Sequence, residues 1–238
     1  MTETIKVDIW SDIACPWCYI GKRKFESGAA SFGAATGDGA PDVVIEYHSY
    51  ELSPDTPVDF DGSEIDFLAK HKGMPADQVQ GMLDRVTGIA ADVGLNYDYD
   101  ALQHTNTVKA HQLLHYAKAH GVQLEAVERL LKAYFVEGRH VGRIEDLADL
   151  GAEVGLDRDD IVRSLTADEH LAAVRADQAL AGEYGINGVP FFVINGKYGV
   201  SGAQDPETFA DVLRQVWAEE TTDVDTTTTT STTEEQTA

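Results

Sequence analysis

A strand, a pair of cysteines, a helix and a second strand follow one another at the start of the chain, and this order constrains the fold most. Residues 5–10 (IKVDIW) alternate apolar and polar side chains, which predicts a β-strand. Residues 15–18 (Cys-Pro-Trp-Cys) follow closely, with proline at a position favoured at the first turn of a helix. Residues 43–47 (VVIEY) are rich in β-branched side chains and predict the next strand. A strand–helix–strand unit predicts two parallel strands joined by a right-handed crossover.

The two cysteines predict redox chemistry. Cys15 and Cys18 are the only cysteines in the 238-residue chain. A helix that begins at the pair directs its free N–H groups and the positive end of its dipole toward the Cys15 sulfur, which favours the thiolate. We therefore expect Cys15 to be the exposed nucleophile that attacks a disulfide and Cys18 to resolve the mixed disulfide. No bound cofactor is required, because the two sulfurs carry the electrons.

The cysteine pair is also compatible with two other roles, a structural zinc site and inert buried thiols. A structural zinc site needs a second pair of ligands, and no other cysteine exists. His111 and His115 have the i, i+4 spacing of a zinc pair, and His104 falls near the same stripe, but no HExxH motif surrounds them. Buried, inert thiols are the second alternative, against which the preceding strand and Pro16 argue. We expect no metal.

The charge of the chain excludes several classes of partner. The sequence has 41 acidic against 18 basic residues, a net charge of -23. Nucleic acid and anionic membranes are poor partners, because binding phosphate requires clustered Lys and Arg. Self-repulsion of this kind is largely screened at about 1 M salt, where the Debye length is about 3 Å. We expect a halophilic cytosol, with an ordinary acidic protein as the alternative.

The termini and hydropathy predict a cytoplasmic protein. No run of about 18 apolar residues occurs, and residues 1–4 carry neither a basic region nor an apolar signal core. In a reducing compartment a disulfide is catalytic and transient.

The rest of the chain divides into a helical block and a return to strands. Residues 63–184 show helical periodicity, with Asp157 and Asp160, and then Thr166 and Glu169, as start signals for two of the helices. Residues 190–194 predict a strand, followed by an Asn-Gly hairpin turn, a returning strand and a helix that begins near Pro206. We therefore predict an α/β thioredoxin-like domain (residues 1–61 and 185–219), an all-helical insertion (62–184) and a disordered tail rich in Thr and acidic residues (220–238).

Three motifs, in this order, resemble one family. They are residues 12–21 (DIACPWCYIG), residues 104–107 (HTNT) followed by Ala110 and His111, and residues 185–193 (GINGVPFFV). Over about residues 5–217 the chain resembles the DsbA-like thioredoxin superfamily, and most its cytoplasmic FrnE branch. The resemblance implies the helical insertion, a position for Pro190 beside the cysteines and a cis Val189–Pro190 peptide bond.

The resemblance also implies roles for residues around the cysteines. Val189 and Pro190 would present backbone groups to an extended substrate, and Trp17 would form part of an apolar rim. Asp12, Asn106 and His111 are candidates for a supporting shell. For Asp12 the alternatives are proton relay or capping of a loop, for Asn106 proximity to the thiol or capping of a helix, and for His111 chiefly packing.

These features predict a thiol:disulfide oxidoreductase acting on protein or small-molecule thiols and disulfides, with glutathione as a candidate co-substrate. One alternative is a glutathione-dependent isomerase or kappa-type transferase resembling 2-hydroxychromene-2-carboxylate isomerase, against which the complete cysteine pair argues. The other is a peptide-binding chaperone. We expect a monomer or a homodimer. The sequence does not determine the direction of electron flow.

Overall fold

The computed structural model describes residues 4–230, with the backbone alone described for residue 38 and residues 222–230. Within this part of the chain there are four strands and nine α-helices. The strands are β1 (Thr4–Ser11), β2 (Asp42–Ser49), β3 (Phe191–Ile194) and β4 (Tyr198–Ser201). The helices are α1 (Pro16–Thr36), α2 (Glu64–Lys72), α3 (Ala76–Asp92), α4 (Val108–Ala119), α5 (Gln123–Phe135), α6 (Ile144–Glu153), α7 (Arg158–Thr166), α8 (Leu171–Glu183) and α9 (Pro206–Thr230).

The four strands form one mixed sheet in the order β2-β1-β3-β4. β1 and β2 are parallel, as predicted, while β3 is antiparallel to both β1 and β4. Asn195 and Gly196 join β3 to β4 with positive φ angles of 49° and 66°, which is the conformation that a tight hairpin turn requires. The sheet brings the end of β1 and the start of β3 together, and the cysteines follow β1.

Helices α1 and α9 pack on this sheet through aromatic side chains. The Phe25 and Phe192 rings are stacked with centroids 5.4 Å apart, and Phe209 packs edge-on against Phe192 at 4.7 Å. A Cβ atom at Gly28 would lie 2.8 Å from the Cβ atom of Phe209. The absence of a side chain at Gly28 therefore lets the two helices approach closely.

Helices α2–α8 are inserted between β2 and β3, as the sequence predicts, and they are anchored to the edge of the sheet. The Gln123 side chain accepts a hydrogen bond from Tyr47 N (3.0 Å) and donates one to Tyr47 O (2.9 Å). The Asp177 carboxylate accepts a hydrogen bond from Ser49 N (2.8 Å). Side chains of α5 and α8 thus occupy backbone groups that the edge strand β2 would otherwise expose.

The structure corrects one predicted helix start. Thr166 is the last residue of α7, and α8 begins at Leu171, so Thr166 and Glu169 do not cap a helix. Asp168 has a positive φ of 54°, and its carboxylate binds Lys109 Nζ at 2.7 Å. Asp168 thus follows the C-cap of α7, Ala167, in a non-helical conformation and makes a tertiary contact with α4. In contrast, Asp157 caps α7 as predicted, because its side chain accepts a hydrogen bond from Asp160 N.

Both long helices extend further than the sequence indicates. Helix α1 ends at Thr36 and is followed by a 3-10 turn at Gly37–Gly39, although the segment from residue 33 to residue 42 is rich in Gly, Ala and Asp and predicts a loop. Helix α9 continues to Thr230 and so enters the segment 220–238, for which the sequence predicts disorder. Within the extension the Thr221 hydroxyl donates to Trp217 O (3.1 Å), so that it is satisfied by the helix itself. Residues 231–238 lie outside the described part of the chain.

Candidate active site

The turn between β1 and α1 positions the cysteine pair. Cys15 has extended backbone angles and immediately precedes Pro16, the first residue of α1. Cys15 N donates to Asp12 O (3.2 Å) and Cys18 N donates to Cys15 O (3.0 Å). Both cysteines are free thiols. Cys15 therefore lies at the N-terminus of a 21-residue helix, and Cys18 lies in its first turn.

The cysteine pair contacts the loop that precedes β3. Cys15 Sγ donates a hydrogen bond to the Val189 carbonyl oxygen (3.5 Å). The Val189–Pro190 peptide bond is cis, as the resemblance implies. A Cβ atom at Gly21 would lie 2.8 Å from Pro190 Cγ, so glycine at position 21 allows α1 to approach the proline. The structure thus brings together Cys15, Val189 and Pro190 from opposite ends of the chain.

Both sulfurs are more enclosed than we expected. Cys15 and Cys18 are each 3% exposed, so the expectation that Cys15 is an exposed nucleophile is wrong. Its sulfur contacts the Val189 carbonyl oxygen, and the residue lines a cavity described below. Burial raises the pKa of the Cys18 thiol well above its usual range, and the hydrogen bond and charge of Cys15 raise it further. Cys18 is therefore held as a neutral thiol beside Cys15.

Asp12 is fully enclosed and bound through both carboxylate oxygens. Oδ2 accepts a hydrogen bond from Leu52 N (2.8 Å), and Oδ1 is 3.4 Å from Ala14 N and 3.3 Å from His111 Nε2. Burial acts to raise the pKa of Asp12, but hydrogen bonds from His111, Leu52 and Thr107 outweigh burial and lower the pKa. Asp12 is thus an ionised carboxylate inside the protein. Its lowered pKa makes it a weak proton acceptor, and its role in proton relay stays a prediction.

Asn106 is bound to backbone groups. Its Nδ2 donates to Pro54 O (2.9 Å), and its Oδ1 accepts from Val108 N (2.9 Å), the first residue of α4. The N-cap of α4 is Thr107, so Asn106 is not the cap that the alternative expected, although its side chain satisfies the N–H group of the first helical residue. Trp17 is 39% exposed and lines the cavity, where an apolar rim was expected.

The three histidines of the predicted stripe each bind a different carboxylate. His104 Nδ1 lies 2.8 Å from Glu64 Oε2, and His115 Nε2 lies 3.0 Å from Asp177 Oδ2, while His111 binds Asp12. Since each histidine turns to its own partner, His111 and His115 do not share one ligand position.

Another group of metal-type ligands is bound by protein cations. Asp8, Glu46 and His48 are the only group in residues 4–230 that brings three such side chains within 4.8 Å of one another. His48 Nε2 lies 2.8 Å from Asp8, and Lys6 Nζ lies 3.0 Å from the same oxygen. Lys6 and Lys118 thus already pair with the two carboxylates of this group.

A cavity of about 360 Å³ lies between the cysteine pair and helices α2 and α3, and we call it the active-site cavity. It opens to solvent beside the exposed residues Trp17, His71 and Lys72. One wall comes from the thioredoxin-like unit and includes Asp12, Cys15 and Val189. The opposite wall, from the insertion, is mostly apolar and carries a few polar groups. It includes Glu64, Phe67, Leu68, His71, Lys72, Met82, Leu83, Val86, Tyr99 and His104.

No sequence motif marks Glu64, Lys72 or Tyr99 as site residues. Ser63 and Asp66 form a capping box that fixes the start of α2, and this signal is readable from sequence. The pairing of Glu64 with His104, 40 positions away, leaves no such local signal.

Comparison with known proteins agrees with this architecture. The model of the DSBA-like thioredoxin domain matches residues 6–214. A probable DsbA oxidoreductase from Streptomyces coelicolor is 38% identical, with a TM-score of 0.82 over 90% of this chain and 91% of that chain. YwbO, an uncharacterized protein of Bacillus subtilis strain 168, is 28% identical over 213 residues, covering 88% of this chain and 96% of its own length.

Two more distant structures share the fold. The cytosolic disulfide reductase DsbM from Pseudomonas aeruginosa is 19% identical, with a TM-score of 0.62 over 90% of this chain and 98% of its own. A 2-hydroxychromene-2-carboxylate isomerase is 18% identical, with a TM-score of 0.67 over 92% and 98% of the two chains. No helix within residues 4–230 has the length and apolarity needed to cross a membrane.

Proposed function

The chain belongs to the DSBA-like thioredoxin domain family, and from this premise we propose that it is a thiol:disulfide oxidoreductase whose redox pair is Cys15 and Cys18. The observation that carries the proposal is the contact of Cys15 Sγ with the Val189 carbonyl group, next to the cis bond to Pro190. This contact sets a sulfur at the N-terminus of α1 beside a backbone segment able to pair with substrate.

The proposed reaction has two exchanges. In the reductive direction the Cys15 thiolate attacks a substrate disulfide, a Cys15–substrate disulfide forms, and the first substrate sulfur leaves and takes a proton. Cys18 then loses its proton and attacks the Cys15 sulfur. The second substrate sulfur leaves, the substrate is reduced by two electrons, and the Cys15–Cys18 disulfide is the oxidised product. The reverse sequence oxidises a dithiol.

A redox titration tests the proposal. The purified full chain is equilibrated with glutathione buffers of graded ratio, quenched with acid, alkylated and weighed by mass spectrometry. We expect a single two-electron transition between the dithiol and the Cys15–Cys18 disulfide, with Cys15→Ser and Cys18→Ser each abolishing the intramolecular disulfide. A chain that forms no such disulfide at any ratio, or a Cys15→Ser variant that still exchanges disulfides catalytically, overturns the proposal.

The alternative functions give different outcomes in the same variants. A glutathione-dependent isomerase retains its activity in Cys18→Ser and shows no disulfide exchange. A peptide-binding chaperone retains suppression of aggregation in Cys15→Ser. The complete cysteine pair ranks both alternatives below the oxidoreductase.

The partners and the compartment are part of the proposal. The substrates are protein or small-molecule thiols and disulfides, with glutathione as co-substrate, in a FrnE-like enzyme that is a monomer or homodimer of the cytoplasm. A DsbM solved with GSH supports the co-substrate, and its description as cytosolic supports the compartment. The net charge of -23 supports a high-salt cytosol, for which a thermal unfolding midpoint that rises with KCl is the expected result.

A further inference from the structure

His104 lines the active-site cavity and has an unpartnered, buried ring nitrogen. The residue is 5% exposed and its ring stacks on Phe67 with centroids 3.5 Å apart. Nδ1 is bound by Glu64, and Nε2 is buried with no hydrogen-bond partner among residues 4–230. Because Nδ1 donates a hydrogen bond to Glu64, Nε2 is the ring nitrogen that can accept a hydrogen bond from a ligand.

Tyr99 presents a second unpartnered group on the same wall. Its hydroxyl is buried and has no partner in the described part of the chain. Burial raises the pKa of Tyr99, and the negative charges of Glu64 and Cys15 raise it further. The hydroxyl therefore remains a proton donor, and Tyr99 lies within electrostatic reach of both the Glu64–His104 pair and the reactive sulfur.

Lys72 supplies a free positive charge to this wall. Of the 18 Lys and Arg residues, 15 lie within 4 Å of a carboxylate. The three for which the structure of residues 4–230 shows no ion pair are Lys70, Lys72 and Arg85, which all lie on α2 and α3. Lys72 lines the active-site cavity, whereas Lys70 lines a neighbouring one. In a chain of net charge -23, unpaired cations mark where an anion can approach.

We propose that the active-site cavity binds a small organic acid, with its carboxylate at Lys72, its apolar body against the α2–α3 wall, and a hydrogen-bonding group between His104 and Tyr99. The cavity of about 360 Å³ falls in the range that holds small ligands. The two carboxylates on its wall are each hydrogen-bonded to a histidine, Asp12 to His111 and Glu64 to His104, so these oxygens are directed to protein partners. The inference rests on the proposed function only where it makes the ligand a thiol or disulfide with its sulfur at Cys15.

Binding of a thioether measures the site without any redox step. We use 2-(methylthio)benzoate as the acidic probe and methyl phenyl sulfide as its neutral counterpart, with isothermal titration calorimetry on the full chain at one fixed KCl concentration. Neither probe can exchange with a disulfide. We expect saturable binding of the acid, in preference to the neutral probe.

Three variants assign the contacts. Lys72→Gln is expected to weaken binding of the acid about two- to fivefold and to leave the neutral probe unchanged, while the matched Lys70→Gln leaves both unchanged. Tyr99→Phe is expected to weaken the acid about fivefold without lowering thermal stability, because the hydroxyl has no partner to lose. Equal effects of Lys70→Gln and Lys72→Gln, equal affinity for the two probes, or the absence of saturable binding overturns the inference.

The two proposals fail separately. Thioether binding with these variant effects, in a chain whose cysteines never form a disulfide, supports the acid site and overturns the oxidoreductase. A normal redox titration in a chain that binds neither probe overturns the acid site alone.

Discussion

The two walls of the active-site cavity differ in how far their polar groups are satisfied. On the thioredoxin side, both oxygens of Asp12 are hydrogen-bonded, and Cys15 Sγ contacts the Val189 carbonyl group. On the insertion side, His104 Nε2 and the Tyr99 hydroxyl have no partner within residues 4–230. The polar groups named on the first wall are satisfied by the protein, whereas two polar groups on the second wall remain for a ligand to bind.

The two walls differ most in their histidine–carboxylate pairs, Asp12 with His111 and Glu64 with His104. Asp12 and His111 are each 1% exposed at the side chain, while Glu64 is 11% and His104 4% exposed. His111 also has an unpartnered nitrogen, Nδ1, but His111 is not on the cavity wall. The Asp12–His111 pair thus supports the fold beside the cysteines. The Glu64–His104 pair, which has the same chemistry, lines the cavity that a ligand would occupy. We infer that the thioredoxin unit fixes the reaction and that the insertion selects the substrate.

Loss of the cysteines is the largest expected effect, and it tests whether the chemistry belongs to the thioredoxin wall alone. Cys15→Ser should lower disulfide exchange by about a thousandfold or more, since it removes the nucleophile. Cys18→Ser should instead accumulate a mixed disulfide with glutathione, detectable by mass. Lys70→Gln serves as the matched surface control. Disulfide exchange that survives in Cys15→Ser would show that Cys15 is not the nucleophile.

Replacing each carboxylate by its amide separates the two pairs. Asp12→Asn should destabilise the protein by about 3 kcal/mol, because the amide nitrogen must face the backbone N–H group of Leu52 or of Ala14 and the buried contact of the charged group with His111 is lost. Glu64→Gln should cost about 1 kcal/mol, since the amide oxygen still accepts from His104 and the site is partly open. Urea unfolding measures both. Equal losses would contradict the difference between the walls.

The Asp12–His111 pair predicts that the free energy of unfolding decreases at acid pH. Because the folded pKa of Asp12 is lowered, its contribution is fully present above the ordinary pKa of aspartate and is lost as pH falls through the folded value. Asp12→Asn should therefore flatten the acid side of the stability profile. A variant profile parallel to the wild type would remove Asp12 as its cause.

Two glycines of α1 test how closely the helix approaches the proline. Gly21→Ala places a Cβ 2.8 Å from Pro190 Cγ and should cost about 1–3 kcal/mol, together with slower exchange because the proline must shift relative to Cys15. Gly33→Ala meets nothing within 4 Å and should stabilise the same helix by about 0.5–1 kcal/mol. Thermal unfolding of both variants shows whether the site tolerates displacement.

The smallest expected effect concerns a third histidine–carboxylate cluster, which lies away from the cavity. Burial acts to lower the pKa of His48, but hydrogen bonds to Asp177 and Asp8 outweigh burial and raise it. Its stabilising contribution is fully present below the ordinary pKa of about 6.5 and is lost as pH rises through the raised folded value. Unfolding free energies measured across this range should fall in the wild type and change less in His48→Asn. Substitution of the cavity residues should not change this pH dependence of the unfolding free energy.

Local signals predicted the elements that carry the cysteines. The period-two pattern of residues 5–10, the proline after Cys15 and the Asn195–Gly196 turn act over a few residues and are found where expected. The cis bond at Pro190 was available only through the family resemblance. The burial of Cys15 and the Glu64–His104 pair depend on packing between segments about 40 or more positions apart, which no local pattern encodes. The extra turns of α9 had no apolar face to reveal them.

The clasp of Gln123 on both backbone groups of Tyr47 has a consequence for self-association. It blocks the addition of a strand at the β2 edge of the sheet. The other edge strand, β4, remains available for hydrogen bonding with another extended chain. Partial detachment of the helical insertion would expose β2 as well. Solvent conditions that loosen these helices should therefore also favour fibrillar association.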